Sequence, residues 1–126
     1  MEKKIINTKE APAPIGPYNQ AVMANQFLFI SGQIALDPVS GELKTDTIEE
    51  ETRLVMKNLE AILNAAKLNF SHVVKTTIFL SDMQHFGLVN EIYGSYFEKD
   101  FPARETVAVK TLPKNVNVEI SMIACA

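Results

Sequence analysis

The sequence has one cysteine, two histidines and no excess of positive charge. Cys125 alone excludes an intramolecular disulfide, which fits an intracellular compartment. No base lies beside Cys125 in the sequence, so its thiol is read as inert. His72 and His85 have no cysteine or carboxylate at a metal-ligand spacing. Both read as ordinary surface histidines, and no metal is expected. Twelve Lys and Arg face 15 Asp and Glu, a net charge of -3, and the lysines are scattered. Without a basic stripe, a nucleic acid is not an expected partner. No apolar run approaches the roughly 20 residues that span a bilayer. The N-terminal residues lack the apolar region and small-residue cleavage site of a signal peptide. A cytoplasmic protein with no membrane partner is therefore expected. GxGxxG, P-loop and GxSxG motifs are also missing, so neither a nucleotide cofactor nor a serine nucleophile is indicated. No solenoid repeat or low-complexity tract is present.

What is there is apolar. Hydrophobic residues make up 47% of 126, enough for the core of a single domain over residues 1–126. A short strand is expected over Lys3–Asn7. Three prolines and a glycine within Ala11–Tyr18 exclude a helix and make a fixed loop ending at Tyr18. A tyrosine in such a place is more often packing than chemistry. Strands are read over Gln20–Ala24 and Gln26–Gln33, with a tight turn at Ala24-Asn25. Thr47 is an N-cap with Glu50 at the third position, opening a helix whose stripe is Ile48, Val55, Leu59, Ile62, Leu63 and Ala66. Its acidic start suits the helix dipole. Val73–Leu80 is β-branched and alternates, as strands do. Ser81-Asp82 caps a second helix with Phe86, Val89, Tyr93, Tyr96 and Phe97 on its apolar side. Thr106–Val109 and Val116–Met122 are the last two strands.

Each helix lies between strands, which favours one mixed sheet with both helices on one face, an α+β arrangement. In the Gln26–Gln33 strand, Phe27, Phe29 and Ser31 share one face and Leu28 and Ile30 the other, so both faces should be buried. Two layers leave one sheet face bare, and a monomer rarely exposes such a patch. An oligomer that packs sheet faces together resolves the conflict.

Two charged residues, on what read as neighbouring strands, stand out. Pro102 keeps the chain extended and delivers Arg104 to the mouth of a strand, where a guanidinium is a rigid fork for a carboxylate. Glu119 lies inside an otherwise apolar strand. Val116, Val118, Ile120 and Met122 share one face there; if that face meets the helices, Glu119 points to the bare one. In a partly dry interface its pKa would rise by desolvation, or fall if Arg104 is near. Surface charges or a structural salt bridge are the plainer readings, and spacing alone does not choose between them. Ser31-Gly32-Gln33 ends a strand where a glycine allows close approach.

These segments together resemble the RidA/YjgF family of enamine/imine deaminases. The resemblance rests on Ala13-Pro14-Ile15-Gly16-Pro17-Tyr18, Ser31-Gly32-Gln33-Ile34, Val74-Lys75-Thr76-Thr77, Val89-Asn90-Glu91-Ile92-Tyr93, Phe101-Pro102-Ala103-Arg104 and Val118-Glu119-Ile120. They run in order over nearly the whole chain. The resemblance implies a chorismate-mutase-like fold and a homotrimer whose sheets face inward, with sites in clefts between subunits. It implies hydrolysis of 2-aminoacrylate-type enamines and their imine tautomers to 2-oxo acids and ammonia, without a cofactor. Arg104 would then pair with the substrate carboxylate and Glu119 would hold or activate water. Tyr18, Ser31, Gly32, Asn90 and Thr106 would line the cleft. Many members carry a small residue and then cysteine after the arginine, where this chain has Glu105 and Thr106. Alternation puts Thr106 on the side of Arg104 and Glu105 on the other, and Glu105 brings a negative charge near the cleft mouth that could disfavour anions. Two other readings compete: a non-catalytic trimer that senses a small carboxylate, and RNA cleavage, which the acidic balance opposes.

Overall fold

The computed structural model describes residues 2–126. One six-stranded sheet is built from β1 (Lys3–Ile6), β2 (Ala21–Ala24), β3 (Phe27–Gln33), β4 (Val73–Leu80), β5 (Ala103–Ala108) and β6 (Val118–Cys125). Helices α1 (Ile48–Ala65) and α2 (Phe86–Gly94) pack on one of its faces. The strand order is β1-β2-β3-β6-β4-β5. All neighbours are antiparallel except β4 and β5, which α2 joins in parallel. Among the described residues no helix is long and apolar enough to cross a membrane.

Local chemistry sets the boundaries. The tight turn falls at Asn25-Gln26, one residue later than the sequence suggested, because Asn25 takes the left-handed conformation (φ 56°) that asparagine tolerates better than most residues. Thr47 Oγ1 accepts the Glu50 N–H at 3.1 Å and opens α1. Asp82 caps a short 3-10 turn over Met83–His85 that leads into α2, rather than α2 itself. Tyr96 and Phe97 lie beyond the end of α2. His72 Nδ1 accepts the Asn69 N–H at 3.1 Å, closing a second 3-10 turn.

The core lies between sheet and helices. Leu28, Ile78, Leu80 and Ile120 meet Leu59 and Ile62 of α1 there, all fully or almost fully buried. Each such aliphatic chain contributes about 1.5–3 kcal/mol by leaving water. The opposite sheet face is uncovered in the single chain. Phe27 and Phe29 are 43% and 46% exposed there, so the expected burial of both faces of β3 holds for only one of them within the chain.

Candidate active site

Arg104 is the second residue of β5, inside the strand rather than at its mouth. The extension begins at Ala103, directly after Pro102. In parallel register Arg104 lies beside Thr76 of β4, a fully buried residue, so its side chain is on the helix side of the sheet. Asn90 of α2 holds it: Arg104 Nη1 donates to Asn90 Oδ1 at 2.7 Å. The guanidinium carbon sits 5.3 Å from the Tyr93 ring centre and 5.7 Å from that of Phe86, within cation–π range. Tyr93 is itself fixed, because its hydroxyl donates to Thr76 Oγ1 at 2.9 Å. Burial pushes the Tyr93 phenol above its ordinary pKa, so it stays neutral. No carboxylate pairs with Arg104 among the described residues. It faces a cleft of about 480 Å³ that Asn90, Tyr93, Gly94, Phe101 and Pro102 complete.

Glu119 belongs to a different neighbourhood. It pairs with Phe79 of β4 in register, between the buried Val118 and Ile120, and so projects onto the uncovered sheet face. The sequence reading put Arg104 and Glu119 on neighbouring strands. In the structure β4 separates those strands, and the two side chains lie on opposite faces of the sheet. Burial alone lifts the Glu119 carboxyl above its ordinary value, and no nearby cation pulls it back. Beside it lies an irregularity in β3. Ile30 pairs with Met122 and Gln33 with Ile120, so Ser31 and Gly32 oppose the single residue Ser121. A bulge of this kind re-aims side chains. A Cβ on Gly32 would lie 2.9 Å from both Cδ and Oε2 of Glu119. The close approach expected at this glycine is therefore made by the Glu119 carboxylate.

Ser31 Oγ donates to the Asn19 carbonyl at 2.6 Å, which ties the bulge to the proline-rich loop. Gln20 fastens the far end of that loop. Its amide donates to the carbonyls of Thr8, Ala11 and Pro12 and accepts the Thr8 N–H. Tyr18, 48% exposed, stands at the loop's end beside Gly32 and Lys114.

A family model described as endoribonuclease L-PSP matches residues 8–126. The mouse protein named 2-iminobutanoate/2-iminopropanoate deaminase is 50% identical over 122 residues, 97% of this chain and 90% of the relative. The chain belongs to the RidA/YjgF family. A RutC family protein of Pyrococcus horikoshii is 48% identical over 122 residues, 97% of either chain. Among solved structures, the E. coli YjgF gene product superposes with a TM-score of 0.92 at 41% identity, covering 97% of this chain and 98% of that one. E. coli TdcF, solved with bound serine, gives 0.93 at 40% identity, covering 98% of both chains. The YjgF-type fold is thus the fold of this chain.

Within this RidA/YjgF chain the expected site residues separate into two groups. Arg104 and Asn90 make one. Glu119 and Gly32, with Ser31 and Tyr18 along the same bulge and loop, make the other. Thr106 is on the side of Arg104, as alternation suggested, but its Oγ1 is buried without a hydrogen-bond partner and does not line the arginine cleft. Glu105 is not at that cleft's mouth. It lies on the opposite face, bonded to Thr77 Oγ1 at 2.9 Å and to Lys75 Nζ at 3.2 Å, and these contacts hold its carboxyl below the ordinary value. Sequence reasoning missed Glu51. It read the acidic start of α1 as dipole chemistry, yet Glu51 is fully buried and accepts from Asn117 N, Asn117 Nδ2 and Val118 N at 2.7–2.9 Å. These bonds fix the strand one residue before Glu119. The signal was available, because Glu51 lies four residues before Val55 on the apolar stripe.

Proposed function

We propose that this protein hydrolyses 2-aminoacrylate-type enamines and their imine tautomers to 2-oxo acids and ammonia, as a cytoplasmic homotrimer without a cofactor. The observation that carries this reading is an unspent cation. Arg104 is held at 2.7 Å by a neutral oxygen, seated on two aromatic rings, open to a cleft, and paired with no carboxylate among the described residues. A planar fork so prepared fits the carboxylate of a 2-imino acid. Glu119 supplies the second half of the chemistry. Burial raises its carboxyl above the ordinary glutamate value, which makes it a stronger base toward water than an exposed glutamate. The hydroxide adds to the imine carbon, and the C=N bond becomes C–N in a carbinolamine. Glu119 returns its proton to the nitrogen, the carbinolamine hydroxyl gives up its own, and the C–N bond breaks, leaving C=O and ammonia. An imine is electrophilic when protonated, so placing water and substrate is most of the task.

Arg104 and Glu119 face opposite ways in one chain, so the reaction needs two subunits, one offering each. A head-to-tail ring repeats that contact at every interface, and the exposed Phe27 and Phe29 give the ring an apolar face to bury. Mixed subunits test this. Arg104→Ala and Glu119→Gln chains should each be nearly inactive alone. Unfolded together and refolded at equal amounts, they should recover about one quarter of wild-type turnover, because one interface in four combines the intact partners. Glu119→Gln alone should lose about 10²–10⁴-fold in kcat and keep its affinity for an unreactive 2-oxo acid. No recovery on mixing would place both groups in one subunit's reaction or in none. A wild-type protein that binds 2-oxo acid without turning over imine would be a binding module.

A further inference from the structure

The connection into β6 is strained. Pro113–Asn115 forms a short 3-10 turn in which Lys114 (φ 56°, ψ 22°) and Asn115 (φ 56°) are both left-handed. Asparagine tolerates that region, but lysine has no local reason to occupy it. A conformation of this sort persists only where its surroundings over-determine it. Here the buried Leu112 and Val116 anchor both ends, and the N–H groups of Asn115 and Val116 donate back to Leu112 and Pro113. The strain brings Lys114 to a specific place. It walls the small crevice that Tyr18, Gly32, Gln33 and Ile34 also line, beside the bulge that seats Glu119. Lys114 joins no ion pair among the described residues.

That position answers a problem in the proposed reaction. The half of the site that carries Glu119 is negative, yet the substrate is an anion, and the cation that grips it belongs to the other half. We infer that Lys114 is a second cation of the composite cleft, which draws the substrate's carboxylate to the Glu119 half-site before Arg104 clamps it. This rests on the imine reading above. Lys114 touches substrate in this account but takes no proton and forms no bond, so it acts on capture and not on the chemical step.

Three variants test the inference. Lys114→Met keeps the aliphatic stem and removes the charge. It should lower kcat/KM for in situ 2-iminopropanoate about tenfold with kcat within twofold, and weaken 2-oxobutanoate binding in calorimetry by a similar factor. The fall of kcat/KM with added salt should be shallower than in wild type. Lys114→Arg should restore most of the affinity. Lys114→Gly removes both the charge and the backbone strain, so its Tm should rise while its affinity falls like that of Met. Lys114→Met and Lys114→Gly proteins that keep wild-type affinity and salt dependence would reduce Lys114 to a turn residue. A wild-type protein that binds 2-oxobutanoate but releases no ammonia would overturn the deaminase reading while the Lys114 contact stays measurable by calorimetry.

Discussion

Gly32→Ala adds one methyl group where the structure has no room for it. The backbone there is not left-handed, since Gly41 alone among the glycines has a positive φ. Alanine is therefore excluded by space and not by conformation. Its Cβ would lie 2.9 Å from Cδ and Oε2 of Glu119 and 3.1 Å from Cγ. Ordinary carbon contacts fall near 3.5–4.0 Å, so the carboxylate must retreat by roughly 0.6 Å or more. The Glu119 backbone cannot follow, because β4 pairs with it and Val118 and Ile120 are buried on either side. The whole displacement falls on the side chain, which swings toward the uncovered face. Stability should change little: overpacking costs about 1 kcal/mol when a flexible end yields, and replacing a strand glycine offsets about 0.5–1 kcal/mol. Catalysis should change more. A misplacement of that order costs on the order of 10–100-fold in kcat, with KM nearly unchanged because Arg104 is untouched. The assay generates 2-aminoacrylate with a serine dehydratase and follows pyruvate release with and without the variant. Adding Gly32→Ala to Glu119→Gln should cost nothing further, since both act through one group. Kcat within twofold of wild type, or losses that multiply in the double variant, would refute the argument.

Glu51→Ala should destabilise the fold by about 3 kcal/mol, read as a lower urea midpoint, because it strands two backbone N–H groups at the start of β6. The acid limb of kcat should lie above the ordinary glutamate pKa of 4.5, since burial raises Glu119, and should vanish in Glu119→Gln; a limb at or below 4.5 would mean that a partner's charge outweighs desolvation. The same shift has a sign for stability. The folded state favours protonated Glu119, so that contribution is complete below the unfolded pKa and is lost as pH rises through the folded one. Urea titrations across that window should show the loss in wild type and not in Glu119→Gln.

Most of the elements, and the faces they bury, follow from local pattern in the chain. Alternation in β6 put Val118, Ile120 and Met122 inward and Glu119 outward, and the structure agrees, because a strand's two-residue period is a local property of the backbone. Thr47 and the stripe from Val55 to Leu63 located α1 for the same reason. Pairing was not local. Nothing in the sequence says that β4 inserts between β5 and β6, yet that order decides that Arg104 and Glu119 do not meet in one chain. Strand order is fixed by how the helices pack across the sheet, a contest among distant segments. Glu105 divides the same way: alternation already put it on the face away from Arg104, and only the pairing of β4 with β5 brought Lys75 and Thr77 to it. Glu51, read as a dipole partner, became a buried anchor because the N-terminus of α1 abuts the start of β6. Charge type was legible in the sequence; which charges share a space was decided only when the sheet closed.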